Sequence, residues 1–174
     1  MRTLLIFWSA FFDLCWLRLR PQDIPNSSLL LILTLVTYTL AGSISSALQL
    51  PLPEAILSGL VETLLLIILT GSLLYLTGHS TRLTQTLTAL AGSSALISFL
   101  GILPLYGFYQ SYLNYEDTTL MLLSMIGLFI WNILVYTHIL RHALEISFMI
   151  ALAVTMVTLL LMTSVLQKLV ATLN

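Results

Sequence analysis

The sequence predicts an all-α fold, a polytopic membrane bundle of five transmembrane helices preceded by an interfacial amphipathic helix. Two observations carry that prediction. Only 7% of the 174 residues are charged, against about 25% in a water-soluble domain, too few to cover a globule with polar surface. Five nearly unbroken apolar stretches fill most of the chain, at residues 27–48, 55–77, 84–113, 118–140 and 143–170. Each meets or exceeds the ~20 residues that carry a helix across ~30 Å of hydrocarbon. The chain divides accordingly into residues 1–25, the interfacial helix with a proline-containing link, and residues 26–174, the five-helix bundle.

At the N-terminus, Arg2 and the apolar run 4–12 open like a secretory signal peptide. Asp13, Arg18 and Arg20 follow without a small-x-small cleavage site, so the segment is expected to be retained. The run is too short to span. At 100° per residue, Arg2, Ser9, Asp13 and Arg20 fall within ~40° of one another on a helical wheel. Leu, Ile, Phe and Trp fill the rest, with Trp8 and Trp16 suited to the headgroup level, while Arg18 lies on the opposite side and must snorkel. Residues 3–19 therefore read as a helix lying in the interface, either a plain anchor or a docking surface for another membrane subunit. Pro21 and Pro25 end it, and the first span starts behind Asn26 or Ser27 as N-cap.

The connections at 49–54, 78–83, 114–117 and 141–142 are short, so successive helices are expected to run antiparallel as neighbours in one compact bundle. Threading five spans puts Arg2, Arg18, Arg20, Arg82 and Arg141 on one side and Lys168 alone on the other. The positive-inside bias then places the N-terminus in the cytoplasm and the C-terminus outside an inner membrane. A net charge near zero argues against nucleic acid as a partner. The lone Cys15 excludes an internal disulfide and a cysteine metal cage. Membrane lipid, other membrane subunits or a second copy of the chain are the expected partners, and no cofactor is expected.

Glu62 is the one ionisable residue well inside a span, about two turns past the start of the second. A carboxylate at such depth costs ~2.5–3.5 kcal/mol, so it should be protonated, hydrogen-bonded or facing water. It reads either as a proton or cation relay or lipid-headgroup contact, or as a neutral carboxyl satisfied by Ser and Thr on neighbouring helices. No further ionisable step is expected at matching depth. Asn132, in the fourth span, is placed to bridge helices at ~0.6 kcal/mol per such contact. Around the loop between the fourth and fifth spans, His138, Arg141, His142 and Glu145 follow at i, i+3, i+4 and i+7 along one helical stripe. Two histidines and a carboxylate have metal-ligand spacing, but Arg141 would repel a cation. The preferred reading is a polar cytoplasmic turn with an Arg141–Glu145 pair, faced by His79 and Arg82 from the other cytoplasmic loop.

Small residues four apart, Gly42 with Ser46 and Ala89 with Ser93 near Gly92, let helix backbones approach within the bundle or between copies. Pro104 should kink or end the third span ahead of Tyr106, Phe108, Tyr109, Tyr112 and Tyr115, which suit an outer interface belt. No phosphate loop, HExxH, GxSxG or paired carboxylates stand in a span, so no enzymatic activity is expected.

The run Leu74–Tyr75–Leu76–Thr77–Gly78–His79–Ser80, leading into Leu83–Thr84–Gln85–Thr86–Leu87–Thr88–Ala89–Leu90 and then Leu103–Pro104, resembles the Yip1 family of small five-span membrane proteins. Ile130–Trp131 followed by His142–Ala143–Leu144–Glu145 is similar to that family's fourth-to-fifth-span junction. The likeness covers roughly residues 55–160 and points to short bacterial members. It implies five spans with the N-terminus inside, and it carries no functional residue. The expected function is a non-enzymatic scaffold or accessory subunit of a larger inner-membrane assembly, working through helix–helix contacts. The alternative is a small oligomeric transporter or channel, or a lipid-binding protein, using Glu62.

Overall fold

A computed structural model describes residues 11–115 and 117–173. Five helices dominate it: α1 (Ser28–Ala47), α2 (Leu52–Leu76), α3 (Leu83–Leu113), α4 (Thr119–Leu144) and α5 (Phe148–Leu173). All five are long and apolar enough to cross a membrane, and no strand occurs among the described residues.

The helix ends follow local chemistry. Ser27 caps α1, its Oγ accepting from the Leu30 N–H at 3.4 Å. The second helix starts at Leu52 rather than Ala55, because Pro53 falls in the first turn, where a missing N–H costs nothing. Gly78, at φ 77, ends α2 as the His79 N–H closes on Leu74 O at 2.8 Å, a wrapped helix end that favours glycine. The third helix runs through Pro104 to Leu113 instead of ending there.

The fourth helix corrects the expected loop at Arg141–His142, for these residues form its last turn. Ala143 and Leu144 are buried and extend the apolar face. The chain turns only at Glu145, at φ 56, with the Ile146 N–H on Arg141 O at 3.2 Å. A glutamate in the position usually held by glycine gives no sequence signal for that stop.

Around the bundle the helices follow the order α1, α2, α5, α4, α3, and α3 returns to α1. Although joined by a short loop, α2 and α3 touch less than the other consecutive pairs, because α1 takes one flank of α3. The third helix is the most enclosed, with 61% of its apolar window buried against 28% or less elsewhere. Leu66, Leu74, Leu90, Ile139 and Leu140 form the fully buried core.

The expected interfacial helix differs in its described part. Helical geometry ends at Cys15 rather than Leu19, and Leu17 turns the chain at φ 61. Leu14 and Cys15 are buried, and residues 11–24 run as a strap along the α3–α4 side. Buried carbonyls need partners, and side chains of α3 and α4 supply them. The Trp131 indole N–H donates to Cys15 O at 2.8 Å, and the Gln85 amide donates to Gln22 O and Ile24 O. Trp16 stays outward with Arg18 over its ring at 5.7 Å. Arg2 and Trp8 lie outside the described residues.

Candidate functional site

Glu62 projects from α2 into a cavity of about 100 Å³ that all five helices line. Tyr38 comes from α1, Ser94 and Ser98 from α3, Asn132 and Tyr136 from α4, and Thr163 from α5. Tyr38, Glu62, Ser94, Asn132 and Thr163 each lie about ten to fifteen residues from the helix ends on the strap's side, or ~15–22 Å along the axis. The polar residues thus share one level about halfway along the bundle.

The close approach of α1 and α2 sets the carboxyl in place. Gly42 and Gly59 face each other, and a Cβ built on Gly42 would stand 2.7 Å from Glu62 Oε2. Only a glycine leaves room for that oxygen. The buried Tyr38 hydroxyl donates to Oε1 at 2.8 Å, so the phenol holds one carboxyl oxygen while the other lies against Gly42. Beside it the Thr39 and Thr63 hydroxyls meet at 2.7 Å, and Ser46 donates to Ser58 at 3.4 Å. The Gly42–Ser46 seam is therefore spent inside the bundle. So is the other seam, with Ala89 and Ser93 fully buried and Gly92 lying under the Phe11 ring.

Ser94 is buried, and its Oγ makes no close hydrogen bond, its polar partner being the Tyr136 phenol of α4. Thr163 donates back to Leu159 O and Leu160 O, which leaves its lone pairs directed away from the helix. Neither Lys nor Arg lines the cavity. A carboxyl without a cationic neighbour, ringed by hydroxyl and amide oxygens, can hold a proton or a positively charged or hydrogen-bonding solute. No histidine or lysine lines it as a base for Ser94.

No family model matches the chain, and neither does any curated protein or solved structure.

Of the residues expected from sequence, Glu62 and Asn132 share this cavity. Tyr38 and Tyr136 correct the expectation that no further titratable group lies at that depth, since both phenols stand there buried. Counting residues from the helix ends would have found them, and Ser94 as well.

The second polar cluster sits at the strap's end of the bundle. Arg82 pairs with Glu145, which replaces the expected Arg141–Glu145 pair. The left-handed turn at Glu145 swings its carboxylate away from its own helix toward the α2–α3 loop. The same guanidinium donates to Ala143 O at 3.2 Å, capping carbonyls at the negative end of α4. Hydrogen bonding and the charge of Arg82, with a further contribution from His79, hold the Glu145 carboxyl below its ordinary range. The rings of His138 and His142 meet edge-on at 4.6 Å. A His138 ring nitrogen contacts Leu19 O at 3.0 Å, and Gln22 donates to His142 O at 2.6 Å, so both histidine positions fasten the strap. Arg141 is exposed. Among the described residues no three His, Cys, Asp or Glu side chains gather to hold a metal.

Proposed function

We propose that this protein is a small membrane transporter or channel subunit whose working group is Glu62. The observation that supports the reading is the cavity shared by five helices, in which one carboxyl faces polar side chains with no cationic partner. A purely structural carboxyl would be fully satisfied by its neighbours, whereas among the described residues only Oε1 accepts a hydrogen bond, from Tyr38. The charge distribution argues for an inner-membrane protein with a cytoplasmic N-terminus. Resemblance to the Yip1 family is in keeping with five spans and adds no residue to the site. The test is solute and ion flux in proteoliposomes for wild type and Glu62→Gln. Flux above background in wild type and its loss in the variant are expected, and equal background flux in both overturns the proposal.

A second reading, a scaffold or accessory subunit, draws on the strap. It presents Phe12, Trp16 and Leu17 outward, a surface that lipid or a partner helix would cover. Native mass spectrometry after gentle extraction decides it, since a chain recovered without any other subunit counts against that role.

A further inference from the structure

We infer that the cavity is a binding site for a hydrated alkali cation of the size of sodium, an inference that rests on the transport reading and names its substrate class. Besides Tyr38, six side chains lining the cavity offer oxygen: Glu62, Ser94, Ser98, Asn132, Tyr136 and Thr163. Oxygen donors suit hard cations, while softer metals seek sulfur and imidazole. The lining holds one carboxylate and no second acidic side chain, so a single positive charge is what it neutralises.

The oxygens are also free to act as ligands. Tyr38 occupies Oε1 of Glu62 and leaves Oε2 open. Thr163 spends its proton on carbonyls of its own helix, and the Ser94 hydroxyl, 4% exposed, makes no close hydrogen bond and has the Tyr136 phenol as its polar partner. A hydroxyl has one proton and two lone pairs, so the Tyr136 contact leaves Ser94 capacity that an ion or its water can take up. A proton on Glu62 would account for the carboxyl alone. It would need no cavity, whereas about 100 Å³ admits an ion with several waters, each filling ~10–15 Å³ by the same measure.

The experiment uses the full chain in nanodiscs, with choline as the replacement cation because its methylated nitrogen cannot gather oxygen ligands as a hard alkali ion does. Equilibrium binding of radiolabelled sodium and thermal unfolding are measured with and without sodium. Saturable binding, competed by lithium or potassium, with a sodium-dependent rise in unfolding temperature is expected. Glu62→Gln should abolish it, and Ser94→Ala, which keeps the charge, should weaken it by about tenfold, as the loss of one ligand of ~1.4 kcal/mol would. No sodium-dependent signal in folded wild type overturns the inference, as does binding unchanged in both variants. Should Glu62→Gln fail to fold, Ser94→Ala alone decides. The two readings separate in the outcome. Sodium binding with background flux sinks the transport reading and leaves the site, and flux of another solute without sodium binding does the reverse.

Discussion

Glycine positions set how closely α1 and α2 approach, and they grade the expected damage from adding one methyl group. At Gly59 a Cβ would stand 2.8 Å from Thr39 O and 2.9 Å from the Ser43 nitrogen. Both are backbone atoms, so the helices themselves must separate. Gly59→Ala should cost about 1–3 kcal/mol, the usual range for overpacking. At Gly42 the nearest obstacle is the tip of Glu62, which can swing away. Gly42→Ala should cost less stability and yet push the carboxyl from its place, so flux falls further than folding does. Gly127 has nothing within 4 Å, and Gly127→Ala should be neutral or gain up to about 1 kcal/mol from helix propensity. Unfolding free energies in mixed micelles check the order, and a Gly59→Ala protein as stable as Gly127→Ala would refute the packing account. At this scale the sequence showed part of the site. Glu62 and Asn132 stand out because charge and amide are rare in apolar spans. Tyr38, Tyr136 and Ser94 do not, since Tyr and Ser are common in spans and only their level along the bundle sets them apart.

Helix boundaries were legible where an end has its own chemistry, as at Ser27 and Gly78. They were not where the end depends on distant residues, as at Glu145, whose left-handed turn is held against Arg82 from another loop. The strap is the larger miss. Periodicity in residues 3–19 argues for a continuous helix, and nothing local reveals that Gln85, Trp131 and His138 stand ready to receive an irregular backbone. That dependence is testable through Cys15, which is 2% exposed. Alkylation of its thiol should be slow in native protein and limited by release of the strap. Trp131→Phe strips the partner from Cys15 O, and Gln85→Ala strips those from Gln22 O and Ile24 O. An unsatisfied buried acceptor costs about 1–3 kcal/mol, so each variant should react roughly 5- to 150-fold faster while the helical content by circular dichroism stays unchanged. Rates equal to wild type would mean that these hydrogen bonds do not hold the strap.

At the level of the whole molecule, five spans and short loops constrain direction but not neighbours. Alternating helices must run antiparallel, yet the circular order is α1, α2, α5, α4, α3, with α2 seated against α1 at Gly42 and Gly59 and α3 on another flank of α1. That order brings five polar positions, scattered over most of the chain, to one level around Glu62. It also gathers Arg20, Arg82 and Arg141 at a single end, through Gln22 on His142 and Arg82 on Ala143. The opposite end carries Tyr112 and Tyr115, both exposed, beside Asp117, whose carboxyl is held below its ordinary value by hydrogen bonds from Thr119. The positive-inside rule turns this asymmetry into an orientation. With Cys15 replaced by alanine, a cysteine introduced at Ser80 should resist a membrane-impermeant maleimide in intact cells and react once the membrane is opened. A cysteine at Tyr115, which is 98% exposed, should react at once in intact cells. The reverse pattern would invert the molecule, and equal labelling at both positions would mean that the bundle does not cross the membrane. The expected pattern would leave Glu62 near the middle of the bilayer, reached by an ion only through the bundle.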